Sequence, residues 1–241
     1  MSNKVRLVVF DLDGTLTDTL RDLANSVNYA LRRMGWAERS LDEVRRMVGN
    51  GVRKLVERAV PEDVAENEIE QCFGIFQQHY LVHCQDTTGL YPGVEKMLQD
   101  VRRMGLRTAI VSNKLQAGVD ELYATYFHTT VDVAIGQREG IPLKPAPDMV
   151  ELALEALGAR RDETVYVGDS EVDVLTARNS GLPCISVLWG FRDRQQLLAA
   201  GATTFVQHPS ELLALLACFF GNLTCACAVS YLLFGHVVNF Y

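Results

Sequence analysis

The chain has 241 residues, 48% of them hydrophobic and 22% charged, with a formal net charge of −7. That length suffices for one large unit or two modest ones, and for a buried core without disulfide staples. The acidic balance, with no basic stripe interleaved with aromatics, excludes a protein that binds the phosphate backbone of DNA or RNA.

In chain order, VRLVVF (residues 5–10) is a short valine-rich apolar run and reads as a buried strand. Leu20, Leu23, Val27, Leu31 and Met34 then recur at helical spacing, closed by Gly35. Ser40 and Glu43 form a capping box that opens a second helix. Helical pattern continues to about residue 84, broken at Gly49-Asn50-Gly51 and Pro61, and no convincing strand is expected between residues 17 and 90. After Tyr91 the rhythm changes. Pro92 suits a first helical turn, Val94, Met97, Leu98, Val101 and Met104 share a face, and Gly105 ends it. Strands are expected at 106–112, 132–136, 164–169, 183–189 and 203–206, with helices at 147–158 and 171–181. Helices alternating with short buried strands predict an α/β fold, a Rossmann-like parallel sheet interrupted after its first strand by an all-helical insertion. The expected division is a core of residues 1–16 and 91–216, a helical segment of residues 17–90, and an apolar tail of residues 217–241.

The ends and the cysteines bear on location. Six cysteines, at 72, 84, 184, 218, 225 and 227, make no paired CxxC framework and read as free thiols in a reducing compartment. MSNKVRLVVFD meets a charge too early for a secretory signal, so the cytoplasm is expected. From Leu212 to Tyr241 there is no Lys, Arg, Asp or Glu. Length alone permits a membrane span there, but Asn222, Thr224, Ser230, His236 and Asn239 interrupt it and no basic cluster flanks it. A tail packed on the body or another subunit, a membrane-associating tail, and an extension without a selected role all stay open.

In open parallel sheets ligands bind at the carboxyl ends of the strands. Asp11 and Asp13 follow the first strand, Ser112 and Asn113 another, and Asp169 and Asp173 a third, while Lys144 lies in the loop LKPAPD. Each alone has an ordinary reading: Asp-Leu-Asp-Gly as a turn, Ser112-Asn113 as a helix cap, Lys144 as a solvated lysine, Asp169 and Asp173 as helix amino-terminal charges. Together, at strand ends and in order, they suit metal-assisted phosphate chemistry. Mg²⁺ takes a few carboxylate oxygens plus water and substrate phosphate, and its charge lets carboxylates cluster. One carboxylate can attack phosphorus, and a second can protonate the leaving alcohol and then activate water.

DLDGT (11–15), Ser112-Asn113, Lys144-Pro145 and GDSEVD (168–173) resemble the four ordered motifs of the haloacid dehalogenase superfamily, over residues 5 to about 216. The resemblance makes residues 17–90 a helical cap, and the GNG, KPAPD and GDSxxD features look most like phosphoglycolate phosphatases. It implies Asp11 as nucleophile and Mg²⁺ ligand, Asp13 as general acid and base with its backbone carbonyl on the metal, Asp169 as a direct ligand, and Asp173 as a metal or neighbouring carboxylate. Ser112, Asn113 and Lys144 would bind the phosphoryl group. In the cap, Gly49-Asn50-Gly51 reads as a helix break or as a loop that touches substrate, and Arg53 and Lys54 as solvent charges or as partners of a substrate carboxylate; Gly49, Asn50, Gly51 and Arg53 are taken as the candidate substrate contacts. The implied activity is a Mg²⁺-dependent phosphomonoesterase acting on a small phosphorylated metabolite, 2-phosphoglycolate first. The second aspartate, Asp13, disfavours hydrolytic dehalogenation. A phosphosugar mutase, a pyrophosphatase or nucleotidase of the same superfamily, and a membrane-tethered binding module are the competing expectations.

Overall fold

The computed structural model describes residues 5–219, so most of the predicted tail 217–241 lies outside the described residues. Its frame is a six-stranded parallel sheet. The strands are β1 (Leu7–Phe10), β4 (Arg107–Leu115), β5 (Val133–Gln137), β6 (Thr164–Gly168), β7 (Cys184–Val187) and β8 (Phe205–Val206), in the order β5-β4-β1-β6-β7-β8. All four residues of β1 are buried, as a strand covered on both faces requires. Alternation sends Leu7 and Val9 to one layer with Met149, Val150 and Ala153 of α7 (Asp148–Leu157). Val8 and Phe10 go to the other, with Val94, Leu98 and Val101 of α5 (Val94–Arg103) and Leu212 and Leu216 of α10 (Pro209–Phe219).

Register sets the site. Phe10 pairs with Ile110 on one side and Val167 on the other. Asp11 is thus one residue past that line, and Ser112 and Asp169 are each two past it. A slip by one residue would turn these side chains to the wrong face. In β4 the pairing with β5 is irregular between Val111 and Leu115, a bulge that re-aims residues 112–114.

Between β1 and α5 lie four helices, α1 (Leu20–Arg33), α2 (Leu41–Met47), α3 (Val52–Ala59) and α4 (Glu66–His83). They share a core of their own, with Leu20, Leu23, Val27 and Leu31 of α1 packed with Leu55, Val56, Phe76 and Tyr80. The capping box forms as its sequence demands. Ser40 Oγ accepts from the Glu43 amide, and Glu43 Oε2 accepts from the Ser40 amide at 2.7 Å.

Several expectations are corrected. Two short strands, β2 (Thr17–Asp18) and β3 (Gly89–Leu90), pair antiparallel where the chain leaves and re-enters the sheet unit. Two-residue strands leave no periodicity to read. The buried Asp22 ties this crossing, its carboxylate accepting from the amides of Thr87 and Thr88 and from both hydroxyls. Pro92 precedes α5 instead of opening it, because Gly93 at φ 88° takes the cap. Three helices were not expected: α6 (Gln116–Leu122), which runs into a π-helical turn Tyr123–Phe127, α9 (Arg194–Ala199) and α10. Cys72, Cys84 and Cys184 are free, and no described helix is long and apolar enough to cross a membrane.

Candidate active site

A tight turn follows β1. Gly14, at φ 93°, donates its amide to Thr17 O at 2.8 Å, and the amides of Leu16 and Thr17 return to Leu12 O. Left-handed backbone here suits glycine alone. A methyl added to Gly14 would also lie 2.5 Å from Asp169 Oδ2. Gly168 and Gly190 leave room in the same way. Their added methyls would meet Asp173 Cβ at 2.3 Å and Asp169 Cβ at 2.4 Å. Three glycines therefore let the carboxylates crowd together.

The structure brings Asp11, Asp169 and Asp173 into one cluster, with an oxygen of each within 4.8 Å of the others and all three buried. Lys144 enters from its loop. Its Nζ donates to Asp11 Oδ1 at 2.6 Å, Asp173 Oδ1 at 2.8 Å and Tyr166 Oη at 3.1 Å. Asp173 is held further by the Ser170 hydroxyl at 2.6 Å, and Asp169 by the Phe191 amide at 2.7 Å and Thr15 Oγ1 at 3.1 Å. The indole of Trp189 donates to Thr15 O at 2.9 Å and fixes that turn.

Three carboxylates crowd together and one ammonium bonds two of them. Burial, then Asp173, pushes the Asp11 carboxyl well above the usual carboxylate range, with Lys144 opposing. Burial and Asp173 likewise push Asp169 up to about 7. Burial would lower the Lys144 ammonium, but Asp11 and Asp173 overturn it and the group goes up. With all three acids ionised, the cluster carries two negative charges more than Lys144 balances. An all-oxygen donor set with that deficit fits a hard divalent cation such as Mg²⁺. A testable consequence concerns pH. Without cation, ionising Asp169 costs stability as pH climbs from about 4 to about 7, because its folded value lies above its unfolded one. Mg²⁺ at ~50–100 times its Kd should therefore raise the Tm by about 5–10 °C at pH 8 and by under about 2 °C at pH 5, measured by thermal unfolding. An equal shift at both values would count against cation binding to these acids.

The remaining predicted residues divide. Ser112 is buried and lines the cleft, its Oγ accepting from the Lys114 amide at 3.1 Å. Asn113 lines it too, but its amide clamps the Lys144 loop, donating to Lys144 O at 3.0 Å and accepting from Lys144 N at 2.8 Å. Asp13 faces the cleft apart from the acidic cluster, 3.4 Å from Lys114 Nζ. Gly49, Asn50 and Gly51 close the cleft from the helical side, all at positive φ. Arg58 braces that loop, donating to Met47 O at 2.7 Å and Asn50 Oδ1 at 2.9 Å. Arg53 is corrected. It turns to the outer face, bound to Glu57, Glu66 and Glu70, and is not among the residues that line the cleft. Lys54 beside it pairs with Glu57.

Sequence reasoning missed Lys114, Tyr80, Gly190 and Arg192. Arg192 is buried, takes Glu171 in two bonds of 2.7 and 3.1 Å, and donates to Arg45 O at 2.9 Å and Val48 O at 2.5 Å, linking the β7 loop to the helical block. The signal was WGFRD, a Gly-bearing loop that ends in charge just past a strand. The cleft as a whole has an accessible volume of about 80 Å³, room for a handful of waters or one small molecule.

Comparison with known proteins follows this geometry. The profile of the family described as haloacid dehalogenase-like hydrolase matches residues 8–187. A phosphoglycolate phosphatase of Vibrio parahaemolyticus is 31% identical over 225 residues, covering 88% of this chain and 96% of that protein. One from Aquifex aeolicus is 31% identical over 192 residues, covering 78% and 86%. A crystal structure of a provisionally named phosphoglycolate phosphatase from Lactobacillus delbrueckii subsp. bulgaricus is similar at a TM-score of 0.85 and 34% identity, over 90% of this chain and 99% of that one.

Proposed function

The chain belongs to the haloacid dehalogenase-like hydrolase family, and we propose that within it this protein is a Mg²⁺-dependent phosphomonoesterase whose substrate is 2-phosphoglycolate. The observation that carries the reading is Asp11, the first residue past β1, held at 2.6 Å by Lys144 beside two further buried carboxylates. The names of the relatives and the small cleft support the choice of substrate.

Asp11, Asp169 and Asp173 would hold the Mg²⁺, which when bound neutralises the acid cluster and screens the incoming phosphate dianion. Lys144 holds Asp11 in place and meets the phosphoryl oxygens, with Ser112 in the same lining. A carboxylate oxygen of Asp11 attacks phosphorus, the bond from phosphorus to the ester oxygen breaks, and Asp13 gives its proton to that oxygen. The alcohol leaves. Asp13, now a carboxylate, takes a proton from water, whose oxygen attacks phosphorus and breaks the bond to Asp11. Phosphate departs and both acids return to their starting forms. The experiment is release of phosphate from a panel of small monoesters with and without Mg²⁺. Turnover led by 2-phosphoglycolate and lost on chelation is expected. No release from any ester would sink the reading.

A further inference from the structure

Among the described residues three cations line the cleft: Lys114, Lys144 and Arg192. Two are saturated. Lys144 has two carboxylates and a tyrosine hydroxyl within 3.1 Å, and Arg192 has Glu171 and two carbonyls. Lys114 differs. Its side chain is 3% exposed. Its Nζ donates to the Tyr80 hydroxyl, a neutral partner, and stands 4.9 Å from that ring's centroid. Burial pushes the Tyr80 hydroxyl up to about 12, so it supplies no charge near neutral pH. The one carboxylate in reach, Asp13, is 3.4 Å away, beyond the about 2.7–2.9 Å of a good charge-assisted hydrogen bond. An ammonium has three donors, and among the described residues the side chains that Lys114 Nζ bonds are Tyr80 and Asp13, so one donor is left for a group bound in the cleft.

The geometry points to Lys114 as the residue that selects the leaving group, by taking a carboxylate carried on the alcohol side of the ester. The inference rests on the phosphatase reading and sharpens it. Asp13 must reach the ester oxygen, and Lys114 lies 3.4 Å from that same carboxyl, so the group Lys114 binds sits only one or two carbons from the ester oxygen. The substrate class is then a phosphorylated short hydroxy acid. A buried ammonium short of acceptors gains most from an anion and rejects an apolar group in its place.

The test compares 2-phosphoglycolate with ethyl phosphate, which has the same ester oxygen and carbon count but no carboxylate. The quantity read is the ratio of their kcat/KM values. The unaltered enzyme should prefer the acid by on the order of 10–100-fold, the worth of a hydrogen bond to a charged group. In Lys114→Met that preference should collapse toward one, whatever the absolute rates, with Lys114→Gln as a second variant if the methionine form folds poorly. A measurement on the unaltered enzyme stands apart from both: glycolate should inhibit competitively, and ethylene glycol at equal concentration should not. A preference that survives in both variants, or equal inhibition by the two alcohols, overturns the assignment. Equal hydrolysis of the two esters by the unaltered enzyme overturns it too, while leaving the phosphatase reading intact. Release of phosphate from no ester at all fails that reading and the inference together.

Discussion

Asp11→Asn should lower phosphate release from 2-phosphoglycolate by on the order of 10⁴-fold or more, the scale seen when a nucleophile is removed. An amide oxygen of nearly the same shape cannot form the acyl phosphate at a useful rate. The informative part is what happens to stability. Asp11, Asp169 and Asp173 lie buried within 4.8 Å of one another, and Lys144 bonds two of them. Removing the Asp11 carboxylate leaves Lys144 and Asp173 as a one-to-one pair at 2.8 Å and ends the repulsion of Asp11 with Asp173 and Asp169. The variant should thus unfold at the same temperature as the unaltered protein or higher in the presence of chelator, while the stabilisation from Mg²⁺ shrinks. Thermal unfolding beside the activity assay checks both. Labelled phosphate trapped on the protein in Asp11→Asn would contradict the assignment of the nucleophile.

Lys144→Met should be equally inactive and move stability the other way. It strips from Asp11 and Asp173 the one cation that bonds them among the described residues and leaves the Tyr166 hydroxyl with Asp173. Breaking a buried ion pair from one side costs roughly 3–5 kcal/mol, or a fall in Tm of about 6–20 °C for a chain of this size. Millimolar Mg²⁺ should return part of that loss, since it meets the same acids, and should return none of the activity. An unchanged Tm in chelator would mean that the acids take up protons and need no counter-charge. Asp11→Asn and Lys144→Met thus share a kinetic outcome and differ in the sign of their effect on stability. A general packing defect would not produce that pattern.

The acidic cluster was readable because its signal is local. Asp11 and Asp13 sit beside a glycine after a valine run, and Asp169 and Asp173 bracket the start of α8 (Glu171–Asn179). Strand ends and helix starts are where short-range chemistry and position agree. Arg53 was misplaced because direction around a helix is not local. Glu66 and Glu70 of α4 and Glu57 of its own helix draw it outward, and only the packing of α3 on α4 decides that. Lys114 was overlooked for the converse reason. A lysine is seldom fully buried, and its burial here comes from Tyr80, 34 residues away, and from the bulge in β4. The helix α6 escaped because it has a single turn or two, with Gly118 inside and only Val119 and Leu122 buried, too few to display a period. The pairing of β2 with β3 joins residues some seventy positions apart and has no sequence trace at all.

The bond from Trp189 to Thr15 has an optical consequence. The chain holds two tryptophans, Trp36 and Trp189, and Trp36 packs within the helical block. In a Trp36→Phe background all indole emission comes from Trp189. That indole is linked through Thr15 to Asp169, so a cation arriving among the acids alters the field at the fluorophore directly. Emission from Trp189 should therefore report a cation bound at these acids, in variants that turn over nothing as well, so that binding is followed apart from chemistry.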